Sequence, residues 1–323
     1  VSNIAYPAGA GYSNETILFR AHIADADTVS VEDLVLRVSP GPRNQLFLDV
    51  AIDAQALLQQ TLRQHDLVRV PNIRWYEADP SWLGRPFFVM DRARGQVPVS
   101  TPVYNASGWL FDATPAQRRT MWESAMAELV RIHRVPSDLV RFLPGGTGPT
   151  PGFEQSVEYA RRHYRWAIEG VAHPIVDRLW GWLDTNLPPA PPQGLSWGDA
   201  RIGNMMFSDE YRVVVVMDWE QASLGGPLLD LGWWLLRDAT EGEQFARLEG
   251  LGSRQETIDL WEDGLGLGVG HLLWYEVFAA VRHATLVIRS TNMLGRLPKD
   301  EGHDVNSYTR RAYALLGWDL ATA

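Results

Sequence analysis

The first 92 residues and the remainder of the chain differ in texture, and that change restricts the fold more than any other feature. Residues 14–23 and 33–38 are short runs rich in branched side chains and bounded by Gly, Pro and Asp, and 87–91 is a compact apolar run. All three read as strands. Between them, residues 49–62 place Val50, Ile52, Ala54, Leu57, Leu58 and Leu62 at a spacing nearer to a helix than to a strand. The spacing predicts a small sheet with one helix packed on it. After Gly95 a loop rich in Pro, Ser and Tyr, 97–111, leads into helical patterns. These cover 116–134, opened by Thr114-Pro115 as cap and first-turn proline, then 153–169, 174–185 and 257–293, with 271–290 the clearest part. A proline-rich stretch, 188–192, precedes a short β-like unit over 195–219. Strands first and helices afterwards predict an α+β chain with a β-rich part over 1–92 and a larger helical part over 93–323.

Composition then removes whole classes of chemistry. The 323 residues include no cysteine, so disulfides, thiolate nucleophiles and Cys-bound zinc are impossible. A hydroxyl, a carboxylate or a bound metal must do the work. The longest apolar runs, such as 213–217 and 231–236, fall far short of the roughly 20 residues that a bilayer span needs, which predicts no membrane partner. A net charge of -10 argues against a nucleic-acid partner and weakly favours a cationic small molecule. Lys299 is the sole lysine, every other basic side chain being arginine, so no mechanism that needs a lysine elsewhere can operate. The chain starts at Val1 without a charged-then-apolar leader, from which a cytoplasmic location is expected.

The most informative stretch is Ser196-Trp197-Gly198-Asp199-Ala200-Arg201-Ile202-Gly203-Asn204, followed by the strand 213–217 and then Asp218-Trp219-Glu220. It offers an aspartate in a tight loop, an amide oxygen five residues later and a second carboxylate at a strand end. Phosphoryl transfer needs this set: a carboxylate to take the proton of the attacking hydroxyl, and hard oxygen ligands for magnesium. Asp199 is the candidate base, and Asn204 and Asp218 are the candidate metal ligands. The competing reading makes both aspartates loop and strand-end residues that satisfy backbone amides.

With these residues the chain resembles the aminoglycoside phosphotransferase family, small-molecule kinases that share the protein-kinase fold. In that family the catalytic loop usually reads His-Gly-Asp, four residues and Asn, and the metal-binding Asp sits in an Asp-Trp-Glu or Asp-Phe-Glu context. Gly198, Asp199, Asn204, Asp218 and Glu220 match, whereas Trp197 stands where the histidine is usual. Gly84 to Met90, Tyr104 to Trp109, Gly226 to Leu231 and Trp274-Tyr275-Glu276 extend the likeness over essentially the whole chain. It is most similar to the branch of kinase-like domains joined to acyl-CoA dehydrogenases. The resemblance implies a bilobal protein-kinase-like fold with a small β-rich N-lobe and a larger, mainly helical C-lobe. It also implies ATP or GTP with Mg2+ as cofactors, and as partner a small molecule that presents a hydroxyl, either an aminoglycoside-like cation or a hydroxy-acid or hydroxyacyl compound.

The nucleotide site follows from the same likeness. Gly9-Ala10-Gly11-Tyr12-Ser13-Asn14 leads into a strand rather than a helix, which suits a phosphate-covering turn and not a dinucleotide fingerprint. Gly9, Gly11, Ser13 and Asn14 are its candidates. Arg37 occupies the place of the strand lysine and can grip phosphate oxygens with a permanent charge. No glutamate occurs between Glu32 and Glu77 to pair with it, so Asp53 is the expected carboxylate, with Asp49 second and Gln55 a neutral stand-in. Met90 and Arg92, at the junction of the lobes, are candidates for the base, and Arg201 for the transferred phosphate. Asp230 is expected to brace the catalytic loop and His133 to be a capping or core residue, while Tyr104 and Trp109 are candidates for covering a substrate.

Two other readings compete. The departures at Arg37, Trp197 and the missing glutamate would suit a protein that binds nucleotide without turnover. Gly194-Leu195-Ser196-Trp197-Gly198 also matches a nucleophile elbow, with Asp218 or Asp230 and His271 or His283 following in hydrolase order. That motif needs a strand before the serine and a helix after it, but prolines precede and Gly198 and Gly203 interrupt.

Overall fold

The structure, a computed structural model, describes residues 1–7, 14–25, 28–41, 44–100, 103–295 and 304–320. Its N-terminal part is an antiparallel sheet of β1 (Ser2–Ala5), β2 (Glu15–Asp25), β3 (Thr28–Val38), β4 (Ile73–Glu77) and β5 (Phe87–Asp91), in the order β1-β2-β3-β5-β4. β2 and β3 pair in unbroken register from Glu15 opposite Val38 to Asp25 opposite Thr28. Both run longer than their apolar stretches suggest, because cross-strand pairs such as Arg20–Asp33 fill the ladder with charge. β4 is an edge strand in which Arg74, Trp75 and Tyr76 are all exposed after the buried Ile73, so it lacks the inside-out alternation of a half-buried strand.

One helix, α1 (Ile52–Gln64), packs on this sheet as expected. Its Ile52 and Ala56, one turn apart, meet Ile73 and Phe88 in a small core. Leu58 and Leu62 instead join the main core of the helical part. α1 therefore belongs to both cores and ties the two parts together.

The C-terminal part comprises α2 (Trp109–Asp112), α3 (Pro115–His133), α4 (Gly152–Ala167), α5 (Pro174–Thr185), α6 (Leu228–Gln244), α7 (Arg254–Leu265), α8 (Leu272–Leu294) and α9 (Ser307–Leu316). A two-stranded hairpin, β6 (Met205–Phe207) and β7 (Val213–Val216), is set among them. α3 begins as the sequence predicts, with Thr114 and Gln117 in a reciprocal capping box and Pro115 in the first turn. The single helical region expected over 257–293 is two helices: Gly266 ends α7 at φ 66°, and His271 enters α8 at φ 61°. α6 was not expected. Residues 228–236 are buried, so the run carries no polar face to reveal a helical period. Gly232 lets α8 approach closely, since a Cβ there would stand 2.6 Å from a Tyr275 backbone atom. No helix among the described residues is long and apolar enough to cross a membrane.

The loop before α1 is strapped to the helical part. His163 on α4 donates from Nε2 to the carbonyl of Leu46 at 2.9 Å, and Arg289 on α8 donates to that of Gln45 at 3.0 Å. Burial, with a smaller push from Arg282 and Arg289, lowers the pKa of His163 to about 4. The unfolded chain therefore takes up this proton before the folded one does, and stability is lost as pH falls from about 6.5 towards 4. Melting curves across that range are expected to show a falling midpoint, with a shallower fall in His163→Phe; parallel profiles would contradict this.

Candidate active site

The loop that carries Asp199 is held from beneath by one buried carboxylate. Asp230, in the first turn of α6, accepts from Ser196 Oγ at 2.9 Å, from the amides of Trp197 at 2.6 Å and Gly198 at 2.8 Å, and from His133 Nε2 at 3.0 Å. The indole of Trp261 donates to His133 Nδ1, so the imidazole proton lies on Nε2 and points at Asp230. His133 is thus a core residue with a specific task. Gly198 has φ +100°, and a Cβ on it would stand 2.4 Å from the carbonyl of Gln221; only glycine fits between the two loops. Trp197 donates its indole N–H to the carbonyl of Met217 at 2.8 Å. The tryptophan in place of the usual histidine therefore ties the Asp199 loop to the residue before Asp218.

The β6–β7 hairpin brings the other candidates into place. Met205 pairs with Val216, and the Met217 amide donates to the Asn204 carbonyl at 2.9 Å, so Asn204 and Asp218 leave the hairpin side by side. Asp218 adopts φ 61°, a left-handed conformation that few non-glycine residues take and that often marks functional loops. Asn204 donates from Nδ2 to Asp199 Oδ2 at 2.7 Å, which leaves its own amide oxygen for a cation. Arg201 reaches the same Oδ2 at 3.3 Å and Ser100 at 3.2 Å, while Trp233 donates to Oδ1 at 2.7 Å. Burial alone would raise the pKa of Asp199. The charges of Arg201 and Arg237 and the bonds from Asn204 and Trp233 outweigh it and hold the carboxyl below its ordinary range. Asp218 moves the other way, raised by burial and by the charge of Asp199 against the pull of Arg37.

From the N-terminal sheet, Arg37 donates to Thr16 Oγ1 at 2.9 Å and to Asp218 Oδ1 at 3.5 Å. The expected pairing with Asp53 is not made, because Asp53 lies on the exposed side of α1 whereas Arg37 points across the cleft. Asp49 pairs with Arg162 instead. Asn14, 4 % exposed, donates to Glu220 at 2.8 Å and to Gln55 at 3.4 Å. Its link to α1 is thus a neutral amide contact. Gly9, Gly11 and Ser13 lie outside the described residues. Met90 lies on β5 opposite Val35, and the Arg92 amide is spent on the Asp33 carbonyl at 3.2 Å.

Two cavities border this cluster. One, a small hollow, is lined by Asn14, Gln55 and Glu220 together with Phe47, Asp49 and Val50. The other, also small, touches the Asp199 loop at Arg201 and Ile202 and is lined by Tyr104, Trp234, Arg237 and Asp238 among others. Tyr104 is buried in the wall of this second cavity. Trp109 donates to the Val97 carbonyl and packs on Phe207 and Tyr211, so it anchors its loop rather than covering a site. Among the described residues Ser196 has no base: its hydroxyl donates to Asp230, His271 is exposed at the start of α8, and His283 is stacked between Trp233 and Tyr308. The described residues do not form the hydrolase geometry.

Carboxylate and amide oxygens at Asp218 and Asn204 are the hard donors that magnesium prefers, so these residues fit that ion. What sequence reading missed is Trp233. It lies three residues after Asp230 on α6, one helical turn on, and that spacing from the brace was the available signal.

The sequence profile described as the phosphotransferase enzyme family matches residues 6–264. The chain is 25% identical over 232 residues to the Arabidopsis thaliana protein named Probable acyl-CoA dehydrogenase IBR3, covering 70% of this chain and 27% of that one. The chain thus spans only about a fifth to a quarter of the length of the curated relatives it matches. Among solved structures, a protein of Ralstonia eutropha JMP134 classed as an aminoglycoside phosphotransferase superposes with TM-score 0.68 at 21% identity, over 98% of this chain and 91% of that one. A thermostable mutant of aminoglycoside phosphotransferase APH(4)-Ia, in ternary complex with AMP-PNP and hygromycin B, gives TM-score 0.62 at 13% identity over 98% and 94%. These two likenesses establish the kinase-like fold. With a profile match over most of its length, the chain belongs to the phosphotransferase enzyme family.

Proposed function

We propose that this protein transfers the γ-phosphate of ATP or GTP to a hydroxyl of a small molecule. The observation that carries this reading is the hydrogen-bonded convergence of Asp199 and Asn204 beside the Asp218–Arg37 pair. Family membership supports it, as does the nucleotide analogue bound by the APH(4)-Ia relative in fold. In this reading residues 1–92 form the nucleotide lobe and 93–323 the catalytic and acceptor lobe. Asp199 takes the acceptor proton, and Arg201 stands beside it to meet the transferred phosphate. Arg37, with Gly9, Gly11 and Ser13, holds the phosphates, and Asn14, the next residue in the chain, is tied to Glu220. The base lies along Met90 to Arg92, and because the Arg92 amide is occupied, recognition falls to the backbone just after it. Asn204 and Asp218 would hold magnesium, which would supply positive charge to offset that of the phosphates.

The acceptor is tested with a coupled nucleotide-turnover screen over aminoglycosides, macrolides and hydroxyacyl thioesters. Magnesium-dependent nucleotide binding without turnover on any of them, or on water, would favour the non-catalytic reading. Arg37→Ala is expected to slow transfer roughly 100-fold, since one fixed charge on the phosphates is lost. Arg37→Lys should retain part of the rate, because the charge stays but the two-pronged grip does not. Steady-state kinetics with near-normal turnover in Arg37→Ala would remove Arg37 from the site.

A further inference from the structure

We propose that Trp233 is a positioning residue for the base, held in place by α8 and α9 so that its indole N–H fixes the Asp199 carboxylate. The proposal rests on the phosphotransferase reading and adds to it a residue that the family motif does not contain.

The two carboxylate oxygens of Asp199 are unequal. Oδ2 accepts from both Asn204, at 2.7 Å, and Arg201, at 3.3 Å. Among the described residues, Oδ1 accepts from Trp233 alone, at 2.7 Å. An ionised carboxylate oxygen has about two lone-pair sites, so Oδ2 is filled and Oδ1 keeps one site open. The open site is where a hydroxyl proton is received. As the acceptor oxygen forms its bond to the γ-phosphorus of the nucleoside triphosphate, its proton passes to Oδ1. The bond from that phosphorus to the β,γ-bridging oxygen breaks, and its electron pair leaves on the nucleoside diphosphate. A carboxylate secured only at Oδ2 could still turn about its Cβ–Cγ bond; the indole closes that freedom.

The indole is itself held with care. Trp233 is fully buried. The His283 ring stacks on it with centroids 3.7 Å apart, and Tyr308 of α9 stacks on the far side of His283 at 4.2 Å, nearly parallel. The neighbouring Arg282 places its guanidinium 4.5 Å from the Trp233 ring centre and donates to the Gly198 carbonyl at 3.2 Å. Two consecutive residues of α8 thus hold the base twice, through the indole and through the backbone just before Asp199. Burial keeps His283 neutral, with further opposition to its charging from Arg237 and Arg282, so it offers Trp233 a flat uncharged face. A hydrophobic core needs none of this directionality.

The test compares wild type, Trp233→Phe, His283→Leu and Asp199→Asn by nucleotide turnover with magnesium, water serving as acceptor where the screen finds no better one. Trp233→Phe keeps the ring and deletes the donor. It is expected to lower kcat about 10- to 100-fold while KM for nucleotide stays within about twofold. In 1H–15N spectra of the full chain, the indole resonance assigned to Trp233 should be absent in Trp233→Phe and should shift in Asp199→Asn. His283→Leu leaves the donor but removes the stack, and it decides the matter if Trp233→Phe does not fold; a smaller loss of kcat at unchanged KM is expected. Full kcat in the folded variants, with Asp199→Asn inactive, would overturn the positioning role and leave the phosphotransferase reading standing. Wild type without turnover, or Asp199→Asn as active as wild type, would overturn that reading and this role with it.

Discussion

Asp199→Asn is expected to reduce phosphoryl transfer by about 1,000-fold or more, with nucleotide affinity and melting temperature little changed. The amide is nearly isosteric and can still accept one of the bonds that now come from Asn204 and Trp233. It has no basicity with which to take the hydroxyl proton. The surroundings of the carboxyl are arranged for the ionised form: Arg201, Asn204 and Trp233 all donate to it. Replacing it by an amide turns one donor–acceptor contact into a donor facing a donor, so some local rearrangement accompanies the loss. The check is initial-rate kinetics under saturating nucleotide beside a calorimetric nucleotide titration. Intact turnover in a folded Asp199→Asn protein would defeat the proposed function at its centre.

Asp230→Ala is expected to have the largest effect on stability. The carboxylate is wholly buried and accepts from the Ser196 hydroxyl, two consecutive backbone amides and His133. Removing it leaves those donors without a partner in a site that water does not reach. Each orphaned donor costs roughly 1–3 kcal/mol, and relaxation makes the sum smaller than its parts, so a total of about 3–5 kcal/mol is expected. For a chain of this size that corresponds to a midpoint lowered by about 4–7 °C. Turnover should fall as well, since the amides of Trp197 and Gly198 that Asp230 holds lie immediately before Asp199. Thermal denaturation followed by circular dichroism measures the first effect. A shift below about 2 °C would show that the loop holds its shape without this anchor.

The two effects differ in how far they could be read in advance. Asp199, Asn204 and Asp218 lie within one 20-residue stretch, and the hairpin that joins them is set by local pairing of Met205 with Val216. Their association is visible in a linear motif because short-range backbone geometry produces it. The sheet and α1 were legible for a similar reason, as the β2–β3 hairpin and the Ile52, Ala56 spacing are local patterns. α6 was not, because its first nine residues, 228–236, are buried on all sides and have no period of polarity to betray them. β4 escaped because an edge strand that exposes Arg74, Trp75 and Tyr76 in succession lacks the usual inside-out alternation.

By itself the sequence determined which chemistry is available: carboxylates and an amide at loop positions, no thiol, and arginine as every permanent side-chain cation but Lys299. Only the tertiary structure decided which partners those groups have. Arg37 faces Asp218, 181 residues away, rather than Asp53; Asn14 meets Glu220 across 206 residues; and Trp233 and Asp230 of α6 hold Asp199 and its loop. Charge and hydrogen-bonding capacity belong to a side chain and can be read from its name. Distance between side chains far apart in the chain is set by how sheet, helices and core pack together, and no local pattern encodes it.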